Sequence, residues 1–321
     1  MSTPEDPVGN QPAERAFAIE ASGLRKVFGS FTAVDGIDLA VEEGELFSLL
    51  GPNGAGKTTT IRMLCCLLRP TDGSAAIMGH DIASDPVGVK QVIAVSPQET
   101  AIAERLDARE NLRLMAGLHG LDAAATAERS EALLEMMALT DRANERVRKY
   151  SGGMKRRLSI AMALVSNPRV LFLDEPTIGL DPQSRRVIWE HIEQLKERTT
   201  IVLTTHYLEE ADALADRVAI VDDGTIVALG SPTELKNSVA GAQATVVEAK
   251  QLTPEAVAAL EAIYPVVRVT DGGLEIEGPD VTLHEIEDCL RPRGVTIDAT
   301  YKKQVTLDDV FLQLTGKELR E

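Results

Sequence analysis

The sequence predicts an α/β fold built on a parallel sheet, followed by a smaller α+β domain. Three observations carry this. The run Glu45 to Leu50 leads through a glycine-rich stretch into a helix-like run, Thr60 to Leu68, which is the order strand, turn, helix. Val170 to Leu173 is apolar and ends in Asp174 and Glu175, and Ile201 to Thr205 is a further strand-like run ending in His206. An apolar run without alternation reads as a strand covered on both faces, as strands of parallel sheets are. Beyond about Val239, short β-like and helical runs follow one another in the order βαββαβ.

At 321 residues the chain is long enough for two domains, and 44% hydrophobic content supports ordinary cores. Aromatic residues are only 3%, so those cores must be aliphatic. A formal charge of −17, from 50 acidic and 33 basic residues, opposes non-specific attraction to nucleic acid or anionic lipid. No nucleic-acid partner is expected. The three cysteines, Cys65, Cys66 and Cys289, do not make a disulfide framework and suit a reducing compartment. No apolar stretch approaches the ~18 residues that cross a bilayer, and no N-terminal basic-plus-apolar segment is present. The expectation is a cytosolic protein that reaches a membrane only through a partner.

In chain order, residues 1–16 are rich in Pro, Glu, Asp and Asn without apolar periodicity and are expected to be a disordered tail. Ala18 to Ala21 and Ile37 to Val41 read as strands of an antiparallel patch. Between them lies Phe28, whose ring can stack on a base, although taken alone it fits a core position better.

Gly51-Pro52-Asn53-Gly54-Ala55-Gly56-Lys57-Thr58-Thr59 matches G-x-x-x-x-G-K-[ST]. Such a loop wraps phosphate oxygens with backbone N–H groups at a helix N-terminus, so the first domain reads as a P-loop nucleotide-binding fold. Lys57 brings a positive charge to the outer phosphates. The Thr58 hydroxyl is a hard oxygen ligand for Mg²⁺.

A turn at Arg69 to Gly73, a short β run through Ile77 and a strand Val92 to Ser96 come next, the last ending in Pro97 and Gln98. The Gln98 amide can ligate Mg²⁺ or simply be solvated. Residues 102–149 read as almost continuous helix, with Asp107-Ala-Arg-Glu110 resembling a helix start and Gly120 interrupting, an inserted helical subdomain over about 100–155. Tyr150-Ser151-Gly152-Gly153-Met154 opens a further helix with small residues and a hydroxyl, which makes a second anion site. One nucleotide does not need two cradles. At the end of the apolar strand, Asp174 can hold Mg²⁺ through water and Glu175 can polarise an attacking water. The turn containing Asp181 and the pair Thr205-His206 follow at plausible distances.

The ordered series of phosphate loop, Pro97-Gln98, Ser151-Gly152-Gly153, Asp174-Glu175, Gly179-Leu180-Asp181 and Thr205-His206 resembles the nucleotide-binding subunit of ATP-binding cassette (ABC) transporters, over about residues 17–235. The resemblance implies ATP and Mg²⁺ as cofactors and ATP hydrolysis as the reaction. It implies Phe28 stacking on adenine, Gly51 to Thr59 on the phosphates, and Thr58, Gln98 and Asp174 around the metal. Glu175 is then the base, and His206 contacts the γ-phosphate and the water. Ser151, Gly152 and Gly153 would cap the γ-phosphate held by a second copy of the chain, with Asp181 crossing the same interface. Two departures stand out: Tyr150 and Met154 replace the usual Leu and Gln around Ser-Gly-Gly, and Phe28 replaces the commoner Tyr.

The nucleotide-binding domain is expected over 17–238 and an accessory, ferredoxin-like α+β domain over 239–321. The ending Thr306-Leu-Asp-Asp-Val-Phe-Leu-Gln-Leu-Thr315-Gly resembles the daunorubicin/doxorubicin resistance ATP-binding subfamily, and its bland reading is an amphipathic helix packed on the core. That subfamily implies a separate ABC-2-like membrane permease and export of drugs or lipids from the cytoplasmic side of the membrane. The rival readings are a soluble ABC ATPase of translation or DNA maintenance, a transporter for another substrate class, and a ligand-sensing regulator. A single phosphate loop, the absence of a C-x-x-C pair and the acidic balance oppose the first.

Overall fold

The computed structural model describes residues 16–196, 198–239, 244–278, 281–303 and 305–316. All but Ala16 of the expected N-terminal tail lies outside these residues. Contacts divide the chain into two compact units, one running to Leu229 and the other starting at Gly230.

The strands of the first unit are β1 (Phe17–Phe28), β2 (Phe31–Glu42), β3 (Leu46–Leu50), β4 (Asp72–Ile77), β5 (His80–Asp81), β6 (Ile93–Ser96), β7 (Val170–Asp174), β8 (Thr200–Thr205), β9 (Arg217–Asp222) and β10 (Thr225–Gly230). Its helices are α1 (Lys57–Leu64), α2 (Pro86–Val92), α3 (Ala108–Leu118), α4 (Ala123–Met136), α5 (Gly152–Leu164), α6 (Pro182–Leu195) and α7 (Leu208–Leu214). One sheet has the order β2-β1-β4-β5, with β1 antiparallel to both neighbours. The other has the order β10-β9-β3-β8-β7-β6, and the pairs β9–β3, β3–β8, β8–β7 and β7–β6 are parallel.

Every residue of β3, β7 and β8 is buried, which is why these runs show no alternation. Register then decides where chemistry can sit. Leu50 lies opposite Thr205, and Asp174 lies opposite Thr204, so β3, β7 and β8 all end at one edge of the sheet. Ligands of open parallel sheets collect at that edge. One apolar core, mostly aliphatic but including Phe47 and Phe172 beside Ile61, lies between the antiparallel sheet and the parallel one. A second joins the parallel sheet to α3, α4 and α5 through Leu112, Leu134, Leu158 and Leu171.

The helical block differs from the nearly continuous helix expected over 102–149. Asp107 takes an extended conformation and accepts from Glu110 N, while the Glu110 side chain accepts from Asp107 N. This capping box starts α3 at Ala108 and holds the preceding residues out of the helix. Asp122 caps α4 in turn, and after Met136 only two short 3₁₀ turns remain, Thr140–Arg142 and Val147–Lys149. The run expected as helix to Leu68 stops at Leu64, where Cys66 turns to φ +55° and Leu67 N and Leu68 N both donate to Arg62 O. Helices α2, α6 and α7 and strand β9 have no counterpart in the sequence reading. Of these, α2 and α6 begin with an Asp cap followed by Pro, a start signal that hides inside what reads as a turn.

The second unit contains α8 (Pro232–Asn237), β11 (Ala244–Lys250), α9 (Pro254–Glu261), β12 (Val266–Thr270), β13 (Gly273–Glu277), α10 (Leu283–Leu290), β14 (Thr296–Lys302) and α11 (Leu307–Thr315). Its sheet has the order β12-β13-β11-β14 with antiparallel neighbours, the split βαββαβ arrangement. Leu260, Leu274, Ile276, Ile286 and Leu290 form its core. Helix α11 buries Leu307, Val310 and Phe311 and packs against α8. Among the described residues no helix is long and apolar enough to cross a membrane.

Candidate nucleotide-binding site

The loop between β3 and α1 closes tightly on its neighbours. A Cβ at Gly51 would stand 2.1 Å from the Val221 carbonyl oxygen. Gly56 has φ +102°, and a Cβ there would stand 2.5 Å from the Ala33 carbonyl oxygen. Only glycine fits either position, the second for both conformational and steric reasons.

Lys57 is 5% exposed. Its Nζ donates to Gly51 O at 2.5 Å and Pro52 O at 3.1 Å, and lies 3.3 Å from Glu175 Oε1. Burial pushes the Lys57 ammonium below its ordinary range, and the Glu175 and Asp174 carboxylates oppose that. Thr58 Oγ1 donates to Asp174 Oδ1 at 3.0 Å, and Thr204 Oγ1 donates to the same oxygen at 2.6 Å. A hydroxyl and a carboxylate therefore stand together at the strand ends. Such hard oxygens are the donor set that Mg²⁺ takes.

Glu175 is buried and holds φ +50°, a left-handed conformation that costs a non-glycine residue about 1–3 kcal/mol. The surrounding bonds fix it: its N–H donates to Thr204 Oγ1 at 3.0 Å, and its carbonyl accepts from Arg156 Nη2 at 2.6 Å. His206 Nδ1 lies 2.7 Å from Glu175 Oε2, so the carboxylate sits between an imidazole and an ammonium.

A cleft of about 260 Å³ is lined by Phe28, Phe31, Ala33, the loop Pro52–Thr59, Gln98 and Glu175. The structure thus gathers Phe28, the phosphate loop, Gln98 and Glu175 on one cavity. Asp174 joins through Thr58, and His206 through Glu175. Phe28 is 47% exposed at the end of β1, which fits a stacking platform better than a core position. Lys26 Nζ lies 5.1 Å from its ring centre, and Phe31 stands beside it in the cleft wall.

Ser151, Gly152, Gly153 and Asp181 do not line this cavity. Ser151 caps α5, accepting from Met154 N at 3.3 Å, and Asp181 caps α6, accepting from Ser184 N at 2.9 Å. The two corners adjoin each other: a Cβ at Gly152 would meet Leu180, and one at Gly153 would meet Ser184. Tyr150, where Leu is usual, is buried and donates its hydroxyl to Arg142 O at 2.8 Å. Met154 packs against the aliphatic core beside the helical block.

Sequence reasoning leaves out four residues that the geometry brings in: Phe31, Arg156, Thr204 and Glu210. Each lies within five positions of a recognised motif residue, but only the fold brings its side chain to the cleft wall or to the residues behind it. Glu210 is fully buried, and its Oε1 accepts from Thr177 Oγ1 at 2.8 Å and Trp189 Nε1 at 3.0 Å.

The sequence profile of ABC transporter domains matches residues 34–178. The chain is 42% identical over 312 residues to the daunorubicin resistance ATP-binding protein DrrA3 of Streptomyces coeruleorubidus, covering 94% of this chain and 97% of that one. This chain is an ABC transporter ATP-binding protein. The linearmycin resistance ATP-binding protein LnrL of Bacillus subtilis is 36% identical, covering 94% of this chain and all of its own length. A solved ATP-binding cassette, captured as a dimer in a post-hydrolysis state with ADP and phosphate, superposes with a TM-score of 0.60 at 26% identity, covering 66% of this chain and 98% of that one. ABC ATP-binding subunits are ATPases that dimerise and work with a membrane permease. The chain shares that fold and that family.

Proposed function

We propose that this ABC ATP-binding protein hydrolyses Mg²⁺-ATP at the cleft between Phe28 and Glu175, and that two copies power export of drug- or lipid-like molecules through a separate ABC-2-like permease, from the cytoplasmic face of the membrane. The observation that carries the chemistry is the Glu175 carboxylate held between Lys57 Nζ and His206 Nδ1 beside the Thr58–Asp174 pair.

In this reading the loop from Gly51 to Thr59 binds the phosphates through its N–H groups, and Phe28 stacks on the base. Lys57 gives up its carbonyl contacts to meet phosphate oxygen, a better partner for an ammonium. Thr58, Asp174 and Gln98 hold Mg²⁺, which when bound neutralises charge on the transferring phosphoryl group. Glu175 takes a proton from the attacking water. With Nδ1 donating to Glu175, His206 orients that carboxylate and keeps Nε2 for the γ-phosphate side. Ser151, Gly152, Gly153 and Asp181 stand off the chain's own cleft, which supports their acting across a head-to-tail pair on the partner's nucleotide.

The export assignment draws on the relatives named for daunorubicin and linearmycin resistance, whose likeness extends through both units. The division into a nucleotide-binding domain over 17–238 and an accessory domain over 239–321 belongs to the same reading. Co-purification from detergent-solubilised membranes tests it: a polytopic partner retained through purification is the expected result. A chain that stays fully extractable and partnerless in its native cells argues against transport.

A further inference from the structure

Arg156 lies on α5, the helix that Ser151 caps, and is 4% exposed. Its guanidinium makes three contacts with main-chain carbonyls: Nη1 donates to Pro97 O at 2.6 Å, and Nη2 donates to Gln98 O at 3.2 Å and Glu175 O at 2.6 Å. Among the described residues no carboxylate stands within ion-pair distance of it, and both terminal nitrogens are given to backbone. One nitrogen, Nη2, serves two chain segments that are far apart in sequence. The Gln98 carbonyl and the Glu175 carbonyl cannot move apart without breaking one of two bonds to that atom, the partly buried one to Gln98 O or the buried one to Glu175 O, and the buried carbonyl is the costly one to leave without a donor.

The position of the second carbonyl matters. Glu175 sits in a left-handed conformation, and its main chain is held at the N–H by Thr204 and at the carbonyl by Arg156. The direction of the carboxylate, and so its contacts with His206 and Lys57, follows from that backbone. Arg156 also anchors α5, whose other end of influence is the Ser151 corner. A planar fork with several fixed donors suits this role in a way that a single ammonium does not.

We infer that Arg156 is a positioning residue that makes the Gln98 loop and the main chain of Glu175 move as one body, so that displacement of the loop is delivered to the carboxylate directly through protein. The inference rests on the proposed roles of Gln98 and Glu175, yet the linkage itself can be read without hydrolysis.

The test uses the full chain and two variants, Arg156→Gln and Arg156→Lys, with hydrogen–deuterium exchange on nucleotide-free protein as the first readout. The expected result is faster exchange at the amides of Gln98 and Glu99 together with Glu175 and Thr177, with the phosphate loop unchanged. ATPase assays should then show kcat lower by roughly 10–10²-fold in both variants, the scale of a slightly misplaced catalytic group, with ATP affinity at the parental level. Arg156→Lys, which keeps the charge, should not restore kcat. If neither variant folds, the unmodified chain still answers: a magnesium-free ATP analogue should slow exchange at Gln98 and Glu99 in step with Glu175 and Thr177. Slowing at one segment alone, exchange that rises evenly over the first unit, or full activity in Arg156→Lys overturns the inference. Coupled exchange without any ATPase activity in the parent would uphold the linkage and refute the assigned chemistry instead.

Discussion

His206 Nδ1 and Glu175 Oε2 lie 2.7 Å apart, and Lys57 Nζ meets the other oxygen of the same carboxylate at 3.3 Å. Two nitrogens, one against each oxygen, hold this buried carboxyl group in place. Glu175→Gln preserves the shape but cannot take a proton. It should lower turnover by roughly 10²–10⁴-fold, the scale of a lost general base, while nucleotide still binds. Turnover at the parental rate in steady-state ATPase assays would remove Glu175 from this role.

Lys57→Ala acts on binding. Nζ donates to Gly51 O and Pro52 O, and in the proposed reading it exchanges these carbonyls for phosphate oxygen. A charge-assisted hydrogen bond is worth about 1.5–3 kcal/mol, so ATP affinity should weaken by roughly 10–10²-fold. Equilibrium binding of a fluorescent ATP analogue checks this, and unchanged affinity would assign phosphate recognition to the backbone alone.

Ser151→Ala separates the two corners. The side chain accepts from Met154 N, so its loss removes an N-cap and costs about 0.5–2 kcal/mol of stability. Because Ser151 stands off the chain's own cleft, nucleotide binding to a monomer should be untouched while hydrolysis falls. Dilution below the dimerisation range, with binding and turnover followed in parallel, distinguishes the effects. Loss of monomer binding would place Ser151 in its own cleft.

How much of this was legible in the sequence depended on whether the signal was local. The Gly51–Thr59 loop, the carboxylates after Leu173 and the βαββαβ order are read from spacing and apolar runs, which need no knowledge of neighbours. The helix starts at Asp85 and Asp181 were hidden because Asp-Pro serves a turn and a helix cap equally well. The block after Thr100 is shorter in helix than the Leu and Met spacing suggests, although the helix start at Asp107-Ala-Arg-Glu110 is legible and is where α3 begins; what the spacing does not show is that the residues after Met136 form only 3₁₀ turns. Arg156 looks like one of several basic residues in Lys155-Arg156-Arg157. Only long-range packing, which brings Pro97, Gln98 and Glu175 to its guanidinium, gives it a different part from its neighbours.

Glu210 offers a test of burial by pH. Oε1 accepts from Thr177 Oγ1 and Trp189 Nε1, and the Thr205 hydroxyl also acts on the carboxyl group. Burial pushes its carboxyl above the ordinary value of 4.5, against the pull of its hydrogen bonds, and the nearby Glu175 carboxylate adds to the rise. The unfolded chain releases this proton near 4.5 while the folded chain keeps it to higher pH. In that interval the folded state binds more protons, so the contribution of Glu210 to stability falls as pH rises. Glu210→Gln keeps the acceptor for Thr177 and Trp189 and cannot ionise. Its stability relative to the parent should therefore increase as pH is raised above the unfolded value, and the gap should close in acid. Glu210→Ala instead leaves the buried Thr177 hydroxyl without an acceptor, at about 1–3 kcal/mol, and takes the acceptor from the partly buried Trp189 ring as well. Trp189 is the single tryptophan of the chain, so its emission reports that loss directly. Denaturant midpoints from pH 5 to 8 decide the matter: a difference between Glu210→Gln and parent that stays constant with pH would mean that Glu210 does not hold its proton in the folded protein.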